Sequence, residues 1–187
     1  MNMGEPRLAP GALSVEDYLS FEEASQERHE FIDGVVYAMV GTTLGHNGLA
    51  LAIAFALRSQ LKAPRRAYMS DIKLRIETRG ATIFYYPDVM VSCSKRDPKS
   101  RWIDDPSLLV EVLSPSTERV DRIERLMAYR QIPSLQDYLL VAQDQTRIEV
   151  FSRGADWKPR VYGPSDLIEI PGLGVTLELD AIYAEAE

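Results

Sequence analysis

Leu108-Leu-Val-Glu111-Val-Leu113 places one charge inside an otherwise apolar run, and its reading decides the fold. A strand that is half exposed alternates apolar and polar residues. This run is apolar at both alternations, which suits a strand covered on both faces in the middle of a sheet. Phe84-Tyr-Tyr-Pro-Asp88-Val-Met-Val-Ser92 is a second such run, again with one acid inside it. A lone carboxylate in such a setting is costly unless it is paired, protonated or metal-bound. Enough chain separates Asp88 from Glu111 for a strand, a connection and a neighbouring strand, so the two side chains can converge at one end of a sheet. The plain alternative is that each acid pairs with an arginine or ends its strand near water.

Outward from this pair, the pattern alternates helix and strand. Ser14 and Asp17 have the spacing of a capping box, so a helix starts there and runs to about Leu19, with a further turn over Phe21 to Ala24. Asp33-Gly34 between two β-rich runs predicts a tight hairpin, with Glu30 on its first strand. Thr43 to Leu61 reads as the longest helix, ended by Pro64, with His46 and Asn47 in its first turn. Strands are predicted at Ala67 to Ser70, Lys73 to Glu77, Thr82 to Ser92 and Leu108 to Leu113, the last closed by Pro115. A second clear helix spans Glu118 to Ile132. Tyr138 to Ala142 and Arg147 to Phe151 form a strand pair, and Arg160 to Tyr162 and Val175 to Leu179 are edge strands with a turn at Pro171-Gly172. The fold class is α/β: one mixed sheet with helices on its faces.

The 187 residues fit one domain. Met1 to Ala12, with two glycines and two prolines, reads as a flexible tail, leaving a single domain over 13–187. No apolar stretch follows a basic start, so this is not a signal peptide. Leu49 to Leu57 is too short for the roughly 20 residues that span a bilayer, so no membrane partner is expected. Cys93 has no second cysteine to pair with, which favours a reducing, cytoplasmic setting. A net charge of -7 opposes long-range attraction of polyanions and excludes a generic nucleic-acid coat. A bound metal or a local basic rim reverses that sign at one place.

Tyr86-Pro-Asp88-Val-Met-Val and Leu109-Val-Glu111-Val-Leu-Ser-Pro-Ser-Thr117 resemble the Uma-type restriction-endonuclease-like family of the PD-(D/E)XK nuclease superfamily. Glu30-Phe-Ile-Asp-Gly34, His46-Asn47, Ser70-Asp71, Tyr129-Arg-Gln-Ile-Pro-Ser134 and Tyr138-Leu-Leu-Val extend the resemblance from about Ser14 to Tyr183. It implies a restriction-endonuclease-like mixed β-sheet core flanked by helices. It also implies a metal-dependent endonuclease acting on DNA, working as a homodimer. Asp88 and Glu111 would be central metal ligands, Glu30 a third carboxylate, and the carbonyl of Val112 a further ligand. Hard oxygen donors suit Mg²⁺ or Mn²⁺.

The sequence departs from the superfamily at one catalytic position. The lysine expected two residues after the acid is Leu113 here, and the family's substitute position on the following helix is Arg125. Arginine keeps the charge and grips phosphate in two places, but it does not act as a general base. Asp121, Arg125 and Tyr129 are spaced by four and share a helix face, which an exposed ion-paired stripe explains equally well. His46, at a helix start, and Tyr129 are candidate substrate contacts. Lys95 and Arg96, between the two acid-bearing strands, are candidate phosphate contacts. Asp71 marks either a hairpin turn or a site contact. The alternative function is a catalytically impaired nuclease fold that binds nucleic acid or protein.

Overall fold

The computed structural model describes residues 13–39, 41–114 and 120–186. The tail at 1–12, Pro115 and the start of the second predicted helix lie outside the described residues. In chain order the first elements are α1 (Val15–Ala24), β1 (His29–Ile32), β2 (Val35–Ala38), α2 (Leu44–Gln60), β3 (Arg66–Met69) and β4 (Lys73–Glu77). Next come β5 (Thr82–Tyr85), β6 (Val89–Ser92), β7 (Trp102–Ile103) and β8 (Pro106–Val112). A π-type helical segment (Val120–Arg125) runs into α3 (Leu126–Tyr129). Then follow β9 (Asp137–Val141), β10 (Ile148–Ser152), β11 (Pro159–Tyr162), β12 (Leu167–Ile170), β13 (Val175–Glu178) and α4 (Leu179–Ala184).

The apolar run is β8, in the interior of a six-stranded sheet ordered β11-β10-β9-β8-β6-β3. It pairs antiparallel with β6 and parallel with β9. Both faces are covered, which is why neither alternation is polar. Leu108, Val110 and Val112 face α2, α4 and the β12–β13 hairpin. Leu109 faces the other way, with Met90, Tyr129, Tyr138 and Leu140.

Where one mixed sheet was expected, the described residues form two large sheets and a separate two-stranded one, β12–β13. The run from Thr82 to Ser92 breaks at Tyr86-Pro87-Asp88: β5 belongs to a five-stranded sheet ordered β2-β1-β5-β4-β7, and β6 to the six-stranded one. Pro87 lacks the amide a continuous ladder needs, so the chain crosses between sheets there. The fold class holds as a mixed α/β architecture. The expected hairpin turn is present, with Asp33 at φ 48° and Gly34 at φ 88°. Asp71, at φ 84°, sits in the turn between β3 and β4, and it also reaches the site region through Arg28.

α2 is capped by Thr43, whose side chain accepts from the His46 amide, and it buries Leu49, Ile53 and Leu57. Trp102–Ile103, Leu167–Ile170 and the short α4 are elements that the sequence pattern did not predict. Among the described residues no helix is long and apolar enough to cross a membrane.

Candidate active site

The site forms where the two sheets face each other. β6 and β8 pair Val89 with Val110, so the register continued by one residue sets Asp88 opposite Glu111. The Val112 amide donates to Asp88 Oδ2 at 2.7 Å, which pins the aspartate to β8. His46 Nε2, from the first turn of α2, lies 3.3 Å from the same oxygen.

Arg125 links the sheets. Its Nη1 donates to Glu111 Oε1 at 2.9 Å, and its Nη2 to Glu30 Oε1 at 2.7 Å. Glu30 comes from β1 of the five-stranded sheet and Glu111 from β8 of the six-stranded one. The guanidinium also lies 4.7 Å from the centre of the Tyr85 ring, a cation–π contact. Nε lies 2.9 Å from Asp121 Oδ1, close enough for an ion pair, but the angle gives it no hydrogen bond. Tyr129 donates to Glu111 Oε1 at 2.6 Å and stacks edge-on against Tyr85 and Tyr138.

Burial dominates the electrostatics. It pushes the Glu111 carboxyl well above the usual carboxylate range, against the pull of Arg125, and neighbouring Asp88 adds to the rise. Burial also raises Asp88, against His46 and the Val112 amide. For Arg125, burial opposes the charge, but Glu111 and Glu30 more than offset it, so the guanidinium stays protonated. Burial lifts Tyr85 to about 12, which leaves it neutral.

Asp88, Glu111, His46 and Arg125 line a cavity of about 1340 Å³. The stripe of Asp121, Arg125 and Tyr129 is buried rather than exposed, because its targets are strand residues beneath it. Tyr129 has no exposed surface, so it positions Glu111 and is not placed to touch substrate. Lys95 and Arg96 are not brought to the cavity; Arg96 is held by Asp104 and Asp105. The cavity's other cations are Arg28, Arg122 and Arg147, which the sequence reading passed over. The alternation of Arg147 and Glu149 with Ile148 and Val150 was a signal that one face of that strand carries charge.

Glu30 and Glu111 meet on the same guanidinium, with Arg125 between them. Among the described residues no three His, Cys, Asp or Glu side chains are grouped to hold one ion. Glu30 is instead taken by Arg125. Among the described residues, the contacts of Asp88 and Glu111 fall on Asp88 Oδ2 and Glu111 Oε1 and not on the second oxygen of either. Mg²⁺ is commonly held by one or two carboxylates plus water and substrate phosphate. Two carboxylate oxygens on one cavity wall are the kind of donor that such an ion takes.

Comparison with known proteins agrees with this architecture. The family model described as "Uma2: Putative restriction endonuclease" matches residues 15–181. The chain is 38% identical over 176 residues to the uncharacterized protein slr1290 of Synechocystis sp. (strain ATCC 27184 / PCC 6803 / Kazusa), covering 91% of each chain. It is 32% identical over 148 residues to the uncharacterized protein sll1609 of the same organism, covering 77% of this chain and 82% of that one. A crystal structure titled as a putative nuclease belonging to DUF820, from Anabaena variabilis ATCC 29413, is similar in fold. Its TM-score is 0.74 at 15% identity, with 94% of this chain and 99% of that one covered.

Proposed function

Because the chain belongs to the Uma2 family of restriction-endonuclease-like proteins, we propose that it is a metal-dependent endonuclease that hydrolyses phosphodiester bonds of DNA. The observation that carries this reading is the pairing of Asp88 with Glu111, one partly and one fully buried acid, both raised in pKa, on a shared cavity wall. They would hold Mg²⁺ or Mn²⁺, with the Val112 carbonyl as a further ligand. Bound there, the ion supplies Lewis-acid charge at the scissile phosphate.

The chain's own residues do the rest. The Val112 amide fixes Asp88. Tyr129 and Arg125 fix Glu111. Arg125 stays charged, so its part is to hold Glu111 and Glu30 and add positive potential beside the phosphate; it does not carry a proton. His46, in the first turn of α2 with its Nε2 beside Asp88, would contact substrate phosphate at the end of the helix whose dipole favours an anion. A homodimer would bring two such sites to the two strands of a duplex.

Supercoiled plasmid with Mn²⁺ or Mg²⁺ tests the reading. Nicking is expected from the wild type and is expected to vanish in Glu111→Gln and Asp88→Asn. Nicking that survives both substitutions refutes the site.

One observation favours a second reading. Arg125 engages Glu111 and Glu30 together in a buried contact, in place of the lysine of related nucleases. On that reading the fold is an impaired nuclease module that binds nucleic acid or protein. Plasmid binding without nicking, unrelieved by Arg125→Lys, supports it.

A further inference from the structure

Glu149 lies in the same row of the sheet as Glu111, two strands further across. β9 sets Leu140 opposite Glu111, and β10 sets Glu149 opposite Leu140. Residues paired in this way project from one face, so Glu149 and Glu111 point to the same side, about 10 Å apart at two strand spacings. Glu149 gathers two arginines. Arg122 donates from Nη1 to Oε2 at 2.8 Å and from Nη2 to Oε1 at 2.9 Å. Arg147 donates from Nη2 and Nε to Oε1 at 3.1 and 3.3 Å. The Arg122 hydrogen bonds hold the Glu149 carboxyl below its usual range, against partial burial. Glu149 therefore stays ionised and holds both guanidinium groups in place.

The helix explains the spacing. Val120–Arg125 lies across this face, with Arg125 on Glu111 and Arg122 on Glu149. The two acids thus have opposite surroundings. All three arginines line the cavity, but Arg125 is only 3% exposed, whereas Arg122 and Arg147 are 31% and 42% exposed. Arg147, gripped by Glu149 through Nε and Nη2, has its guanidinium plane fixed, and a plane held in this way matches phosphate oxygens.

We propose that Arg122 and Arg147, oriented by Glu149, form a phosphate-binding subsite for a diester that flanks the scissile one on the same nucleic-acid strand. The path of that strand rests on the nuclease reading; recognition of phosphate by the arginine pair does not. A purely structural role, in which the pair staples the helix to β10, makes different predictions.

Binding of a fluorescein-labelled DNA duplex in EDTA, followed by anisotropy over a series of salt concentrations, separates them. Each lost phosphate contact lowers the slope of log K against log salt by about one. Arg147→Gln and Arg122→Gln are each expected to show that drop, with Kd rising several-fold at the lowest salt. Arg147→Lys, which keeps the charge, should retain the slope. Arg66→Gln, on the exposed β3 edge of the same sheet, should leave it unchanged.

Slopes unaltered in both arginine variants, with a lowered melting midpoint, would establish the staple and overturn the proposal. An equal drop in Arg66→Gln, or no binding of the duplex by the wild type, would overturn it too. If Arg122→Gln does not fold, Arg147→Gln, at a half-exposed position, decides alone. Binding in EDTA is scored apart from plasmid nicking, so a grip without cleavage and cleavage without this grip are distinct results.

Discussion

Replacing Arg125 with methionine keeps most of the side chain's length and apolar stem while deleting the charge that joins the two sheets. Glu30 and Glu111 would be left facing a gap, with side chains only 4% and 6% exposed. Removing one partner of a buried ion pair costs about 3–5 kcal/mol, because the remaining charge has no water to return to. Screening does not soften this, since Arg125 itself is 3% exposed. Domains are stable by only about 5–15 kcal/mol. For a chain of 187 residues the loss corresponds to a fall in melting midpoint of roughly 6–20 °C. Urea unfolding at pH 7, followed by tryptophan fluorescence, gives the free energy directly.

Two further arms identify the cause. Glu111 already has a raised pKa, and loss of Arg125 lifts it further. A carboxyl raised in the folded state binds more protons there than when unfolded, so stability falls as pH rises from about 4.3 through the raised value. The gap between wild type and variant should therefore narrow on acidification toward pH 4. Adding Glu111→Gln to Arg125→Met should recover at least about 1 kcal/mol, as contacting residues couple by roughly 0.5–3 kcal/mol. A loss below about 1 kcal/mol at pH 7, or a gap indifferent to pH and to Glu111→Gln, refutes the buried bridge.

Excess Mg²⁺ or Mn²⁺ should raise the wild-type melting midpoint: a hundredfold excess over Kd adds about 2.7 kcal/mol, or about 5–11 °C. The same titration should leave Asp88→Asn unmoved, and a flat wild-type response at every concentration counts against Asp88 and Glu111 as an ion site. Without metal, Asp88→Asn should be more stable than wild type at pH 7, because burial raises the Asp88 pKa and the amide still accepts from Val112. That advantage is present above the raised folded value and disappears below about pH 4, where the aspartic acid is already neutral; urea melts at both pH values check it, and a pH-independent difference contradicts it. Tyr86→Phe removes the hydroxyl that donates to buried Glu22 Oε1 at 2.7 Å and should cost roughly 1.5–3 kcal/mol. In a Glu22→Gln background the cost should shrink, and an unchanged cost would mean that the hydrogen bond is not its source.

The central strands were legible because burial on both faces leaves a strong trace. Leu108 to Leu113 has no polar side but Glu111, and the strand lies in the interior of its sheet. The β1–β2 turn was legible for a local reason: Asp33-Gly34 satisfies positive φ at both central positions. What failed was long-range. A break at Pro87 can end a strand or kink it, and local sequence does not say that β5 and β6 enter different sheets. Trp102–Ile103 is two residues long, and its partner β4 is far away in sequence. No periodicity can announce such a strand.

The site divides along the same line. Asp88 and Glu111 were readable because a charge in an apolar run has to be explained locally. Glu30 and Arg125 were readable as charged positions, but their partnership was not, since a contact across 95 positions is set by how the two sheets meet. The helix was harder still. A spacing of four read as one helix face, with an exposed stripe as the alternative, and wider π-type turns shift the phase of successive residues. Arg122 and Arg125 are then matched not to each other but to a row of strand residues below, Glu149 and Glu111, whose spacing is fixed by the sheet. The strands therefore determine which arginine is sealed almost completely and which keeps a third of its side chain exposed. A sequence reading that weighs the helix without that row has no way to tell the sealed arginine from the more exposed one.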